Sequence, residues 1–455
     1  MSAGPADRAV LVQGGVDLDG TPVSLRLQHG VIAERGPYLS AGAHDVVVDA
    51  RGGTVMPGLH DHHVHLRSAA AADDSVHLGP PRVSTDAEAR AMLRTAAVRS
   101  DGWIRAVGYH ESVAGPLDRH RVDLWRADVP VRVQHRSGAL WIVNSAGSRL
   151  LNEPADSDGV LFRRDSEFSR RDGGTDGDLT TISTRLASFG VTGCTDATPN
   201  MDSGAIDFFE NEMRAGRFVQ NLHLLARRDR ERRAVTFGPV KRILDDTDLV
   251  LDDVTTWIED VHGAGQAVAV HCVTVAQLVL TVVALRMVGT VAGDRIEHAA
   301  MVPDDVLRDV VDLGVTVVTQ PNFVVERGDQ YLRDVPKSDH GQLWRVASLI
   351  GAGVPTAAGT DAPFGDLDPW ACMRAARDRA VASGSVLGAD ERIDARRALD
   401  MFLGSAGSPA TPRLLQPGHS GDLCILAAPP ATVLEELSAD LVRATIVRGI
   451  VVVER

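Results

Sequence analysis

The sequence predicts an α/β chain built on a (β/α)8 barrel of the TIM type, with a small β-sandwich domain formed by its N- and C-terminal segments. Three observations predict it: strand-like runs alternating with helix-period segments, short apolar runs confined to the two ends, and polar residues collected where predicted strands stop.

The alternating runs are VMPGLHDHHVHL, GVTGCTDA, FVQNLHLLA, FGPVKRIL, QAVAVHCV, DRIEHAA, VTVVTQPN and VPTAAGTDA, with stretches such as LDDVTTWIEDVHGAG and VPDDVLRDVVDLG as the helices between them. Repeated β-then-α units imply a parallel sheet. Eight such strands, with no GxGxxG or Walker loop, favour a closed barrel over an open doubly wound sheet.

At the N-terminal end, residues 8–56 hold AVLVQ, VSLRLQ, GVIAE and DVVVDA between Gly and polar turns, which is the spacing of short antiparallel strands. GDLCILAA and LVRATIVRGIVVVE resume the pattern, so the two ends are expected to pair. The predicted boundaries are 1–57 with 405–455 for the small β domain and 58–404 for the barrel. Residues 67 to about 177, with runs such as RRDSEFSRRDGGTDGD, break the rhythm and read as an insertion over the barrel mouth. Apolar helical runs such as TVAQLVLTVVAL are expected to pack against the barrel.

At 455 residues, 44% hydrophobic and 24% charged, the chain can bury one large core and a smaller one. A formal charge of -14 gives no electrostatic reason to attract nucleic acid or an anionic membrane surface. A small-molecule substrate is the expected partner, and a homo-oligomer stays open. No basic leader with an apolar core is seen, nor about 18 apolar residues in a row, so the expected location is cytoplasmic. Cys194, Cys272, Cys372 and Cys424 lie far apart with no CxxC pair, and read as buried thiols.

Strand alternation in PGLHDHHVHL places Asp61, His63 and His65 on one face and His60, His62 and Val64 on the other. His63 and His65 can therefore grip one metal. His271, His298 and Asp361 each end a different predicted strand, where barrel enzymes keep their catalytic groups. Lys241 falls at the corresponding place on the fourth strand. It could snorkel to the surface or pair with Asp245 or Asp246. Yet only two of the 47 basic residues are lysine, Lys241 and Lys337, which suggests a site needing an amine that can lose its proton. A carboxylated lysine bridging two metals has that need. His135, Arg136 and Trp141 are candidate substrate contacts.

PGLHDHHVH, the strand-end Lys, His and His, and TDAP together resemble the amidohydrolase superfamily over most of the chain. GWIRAVGYHES, VRVQHRSGALWIVNSAG and GVTGCTDA are similar to its amidohydrolase 3 group, the branch that includes N-substituted formamide deformylases. The resemblance implies two divalent ions per chain, with zinc expected. His63, His65 and Asp361 would hold one, His271 and His298 the other, with Lys241 as the carboxylated bridge and Asp361 as proton shuttle. Two ions sharing a water lower its pKa and polarise a carbonyl, so the implied reaction is hydrolysis of an amide-like C–N bond: amide, formamide, carbamate, urea or cyclic amide. One rival is a mononuclear deaminase, whose usual Glu three residues after the fifth-strand His is here Thr274. Another is a non-catalytic scaffold on the same fold. Where the branch usually carries a His before Trp-x-x-Asn-Ser, this chain has Ala139.

Overall fold

Strand β1 (Leu59–Val64) is buried at every position, as a strand covered on both faces must be. It opens a parallel system that continues through β2 (Val191–Asp196), β3 (Asn221–Leu224), β4 (Val240–Ile243), β5 (Val268–Cys272), β6 (Arg295–His298), β7 (Thr316–Thr319) and β8 (Thr356–Ala358). These strands belong to a computed structural model that describes residues 8–80, 82–162, 179–228 and 234–455. The RRDSEFSRRDGGTDGD run lies outside the described residues. The chain divides into two units, Met1–His65 with Thr180–Arg455, and Leu66–Leu179.

In the first unit the parallel strands form a four-stranded sheet, Val235–Phe237, β3, β2 and β1, and a five-stranded sheet, β4 to β8. FGPVKRIL is therefore not the single strand expected of it. Val235–Phe237 pairs with β3 and β4 pairs with β5, because Pro239 between them has no N–H to contribute to a ladder. Both pieces still reach the same neighbour, Gly238 N donating to Leu224 O at 3.0 Å and Lys241 N to Leu225 O at 3.2 Å.

The other edges meet where β8 passes β1. Asp361 N donates to His63 O at 2.8 Å and His65 N to Ala362 O at 2.9 Å. Thr360 adds its backbone N–H and hydroxyl to the Asp61 carboxylate, at 3.1 and 2.5 Å. A side chain at Gly359 would place its Cβ 2.4 Å from His63 N, so this approach requires glycine.

Helices Leu251–Gly263, Val275–Val288 and Asp304–Leu313 follow β4, β5 and β6. Val254, Ile258, Leu278, Val282 and Val306 pack on Val268, Val270, Ile296 and Val317 in one apolar core. Val275–Val288 starts with a capping box in which Thr274 Oγ1 accepts from Gln277 N. Its apolar run was expected to face the core, but it does so on one side only. Leu278, Thr281, Val282 and Leu285 are buried, whereas Val279, Val283 and Met287, four apart, form an exposed line. A helix lying on a sheet hides one face, and here the other face is apolar too.

Both chain ends enter one eight-stranded sheet. Val10–Val16, Pro22–Gln28 and Val31–Gly36 pair antiparallel as expected, but Val46–Asp49 and Thr54–Pro57 run parallel to Val10–Val16. The segment 37–45 carries the chain back before it re-enters the sheet, which reverses the expected sense. Thr54–Pro57 then pairs antiparallel with Leu423–Leu426, joining the N-terminal strands to the C-terminal ones.

The second unit occupies the region expected to be an insertion and has its own five-stranded sheet and core. Val131–His135 lies between Ile104–Tyr109, parallel, and Leu140–Val143, antiparallel. Leu93, Ile104, Val122, Trp125, Val133 and Ile142 fill the core. All four cysteines are free and buried. Among the described residues, no helix is long and apolar enough to cross a membrane.

Candidate metal centre

His63 lies near the end of β1, and its ring is the hub of the site. Its Nδ1 closely faces Glu297 Oε2, while Lys241 Nζ is 2.9 Å from its Nε2. A carboxylate without a proton only accepts, so the contact with Glu297 puts the ring proton on Nδ1. Nε2 is left as a lone pair, which accepts from Lys241. The His63 ring centroid is 4.7 Å from that of His298 and 5.5 Å from that of His65.

Asp361, three residues beyond β8, closes the cluster. Its Oδ1 is 3.2 Å from His65 Nε2 and 3.5 Å from His63 Nε2, yet it makes no well-directed hydrogen bond. One ligand atom each from His63, His298 and Asp361 falls within 4.8 Å of the others. His271 joins through His298, ring centroids 4.5 Å apart, and His65 Nδ1 is 3.3 Å from Thr198 Oγ1. The geometry thus brings together His63, His65, Lys241, His271, His298 and Asp361 from five different strands or strand ends.

Electrostatics keep the His63, His271 and His298 imidazoles neutral and Asp361 charged. Burial, with Lys241 beside it, pushes His63 down to about 4, and burial with His63 pushes His298 down to about 3. His271 is held well below its usual value by burial and by His298. Burial would raise the Asp361 carboxyl, but the close His65, His63 and His298 rings hold it far below the usual carboxylate range. Lys241 is lowered by burial, against the pull of Glu297 and Asp361. At 3% exposure it does not snorkel to the surface, and Asp246 instead accepts from Thr274 Oγ1 at 2.9 Å.

Backbone strain collects at the same place. His298 and Asp361 have φ of 70° and 55°, left-handed values that cost non-glycine residues about 1–3 kcal/mol each and persist where the surroundings enforce them.

Several supporting residues carried no signal strong enough to single them out. Arg295 Nη2 donates to Glu297 Oε2 at 3.1 Å and to His62 O at 2.8 Å, so a buried ion pair anchors His63 from behind. Burial would raise the Glu297 carboxyl, but Arg295 and His63 hold it well below the usual range. The signal available was an Arg and a Glu two apart in the short buried strand RIEH, where an unpaired charge is not tolerated. His298 Nδ1 lies 2.6 Å from Gln320 Oε1. Burial pushes the Asp61 carboxyl up to about 7, and Asp61 spends its oxygens on Thr360 and His63 N.

The remaining candidates lie in the second unit. His135 Nε2 is 3.1 Å from Glu111 Oε2 and its Nδ1 is 2.8 Å from Ser137 Oγ. Arg136 N donates to Tyr109 O at 2.9 Å. Trp141 is buried in that unit's core with Trp103, Arg105 and Arg132 stacking on its ring at 5.4 and 5.6 Å. Ala139 N reaches Ser137 Oγ at 3.4 Å.

Neutral imidazole nitrogens and an ionised carboxylate, buried together at parallel strand ends, form the donor set that a borderline divalent cation such as zinc prefers. Asp361 Oδ1, buried without a hydrogen bond, has the unfilled valence that such an ion would take. The class this defines is a metal-dependent hydrolase. The chain belongs to the amidohydrolase family, whose family model (Amidohydro_3) matches residues 46–453.

The chain is 23% identical over 473 residues to the N-substituted formamide deformylase of Arthrobacter pascens, covering 87% of this chain and 84% of that one. Its fold is similar to that of a metal-dependent hydrolase from Pyrococcus horikoshii OT3, with a TM-score of 0.73 at 20% identity over 94% of this chain and 99% of that one. A metal-dependent hydrolase from Pyrococcus furiosus is similar as well, with a TM-score of 0.69 at 21% identity, covering 93% of this chain and 99% of that one.

Proposed function

We propose that the chain hydrolyses an amide-like carbon–nitrogen bond of a small molecule, with Asp361 moving the proton. The observation that carries this is the Asp361 carboxylate, ionised, buried and turned toward three imidazoles. In this reading the two parallel sheets close along both edges into an eight-stranded barrel. His63, His65 and Asp361 would hold one divalent ion, and His271, His298 and a carboxylated Lys241 the second, with zinc the metal. Bound there, the ions would acidify water and polarise the scissile carbonyl.

The rest is the work of the side chains. Asp361, ionised throughout the neutral range, accepts the proton of the attacking water and returns it to the leaving nitrogen, which departs only when protonated. Lys241, buried and lowered, offers an amine able to shed a proton and take up carbon dioxide. Glu297 and Arg295 keep His63 in the tautomer whose Nε2 faces the cluster. The likeness to a formamide deformylase supports an amide or formamide as substrate. Thr274 supports hydrolysis over mononuclear deamination, since it spends its hydroxyl on capping a helix and on Asp246.

The test is elemental analysis joined to a screen of amides, formamides, carbamates, ureas and cyclic amides. Roughly two divalent ions per chain and turnover of at least one class are expected. Protein that holds no metal, takes none up on reconstitution and turns nothing over sinks the reading.

A further inference from the structure

The two clustered rings are held from behind in different ways. His63 Nδ1 faces a carboxylate tied to Arg295, whereas His298 Nδ1 faces Oε1 of Gln320, the residue just past β7, at 2.6 Å. An amide oxygen accepts and does not donate, so this contact puts the His298 proton on Nδ1 and leaves Nε2 as a lone pair. With the amide reversed, Gln320 Nε2 would donate to Nδ1, the ring proton would move to Nε2, and His298 could no longer ligate through it.

Gln320 is fully buried, and its own Nε2 has no hydrogen-bond partner. A half-satisfied buried amide is destabilising, and an apolar side chain of the same length would avoid that cost. What the apolar side chain could not supply is the acceptor for His298. His298 also sits at a φ of 70°, a left-handed value that persists in a non-glycine residue only where the surroundings enforce it.

We infer that Gln320 is a positioning residue: its carbonyl sets the tautomer and plane of the His298 ring so that Nε2 is presented to a metal. The ligand's identity rests on the metal-dependent reading above. The tautomer itself stands on the contact between Nδ1 and Oε1.

Two variants separate the acceptor from the shape. Gln320→Met keeps the length and removes the acceptor, while Gln320→Glu keeps an acceptor oxygen. By chelator competition, the Met variant is expected to lose about 10–100-fold in metal affinity and the Glu variant to stay within about threefold of the parent. In metal-free protein, nitrogen NMR of the histidine side chains should show His298 protonated on Nδ1 in the parent and shifted toward Nε2–H in the Met variant. Parental metal affinity in the Met variant, or a Glu variant as weak as the Met one, overturns the inference. Should the Met variant not fold, the parent's spectrum decides, and a proton on His298 Nε2 overturns it. Should the parent neither contain nor take up metal, the proposed function fails, while the same spectrum still decides the role of Gln320.

Discussion

Lys241 Nζ lies 2.9 Å from His63 Nε2, so a buried amine and an imidazole lone pair face one another beside the candidate metal site. Lys241→Arg should remove most activity and at least one metal, because a guanidinium stays protonated and cannot take up carbon dioxide. Elemental analysis and turnover of the variant check this. Unchanged metal content and rate would show a mononuclear site.

Asp361→Asn separates ligation from proton transfer. The amide keeps the shape and loses the base, so kcat should fall by about 10²–10⁴ while the protein still melts cooperatively. Assays with metal in excess are decisive, since a pure ligand defect recovers when the site is filled. A rate within about threefold of the parent under those conditions would remove Asp361 from the proton path.

Gly359→Ala should damage the site without replacing a ligand. The new Cβ would meet His63 N at 2.4 Å and His63 Cβ at 2.5 Å, forcing β8 away from β1 and Asp361 away from His63. A loss on the order of 1–3 kcal/mol in denaturant melts, with weaker metal retention, is expected. A variant with parental stability and metal content would mean that the two segments separate freely.

Acid should destabilise the fold through its buried histidines. Burial, with Arg295 nearby, pushes His223 down to about 4 from the usual 6.5. Between those values the unfolded chain binds a proton that the folded chain refuses, so stability is complete above about pH 6.5 and falls as pH drops toward 4, by on the order of 3 kcal/mol for this group. His223→Gln should flatten that decline in melts at several pH values. A slope identical to the parent's would show that His223 takes no part.

The site was legible where chemistry coincided with a strand end. His63 and His65 follow from alternation in β1, and His271, His298 and Asp361 from their places at the ends of other apolar runs. What stayed hidden depends on partners distant in sequence. Arg295 and Glu297 stand two apart in the sequence, but nothing local shows that their ion pair backs His63. Gln320 looks like loop polarity until His298 is placed against it. In the fold, alternation of strand and helix was visible, but the break at Pro239 was not, because each half of FGPVKRIL carries its own apolar residues. The second unit's sheet mixes parallel and antiparallel pairs of short strands, a pattern with no single period to detect.

The strand Thr54–Pro57 has a bearing on how the chain is made. Thr54 Oγ1 donates to Ala428 O across 374 residues, and the strand's antiparallel neighbour is Leu423–Leu426. On the ribosome this strand emerges first and waits for its partner until everything between has been translated, and such distant pairings form slowly. Gly58 alone separates it from β1, the strand that carries His63. A deletion that removes Leu423–Leu426 is thus a lesion of the strand that carries His63, and nascent chains should become able to retain metal only after that distant pair has been synthesised.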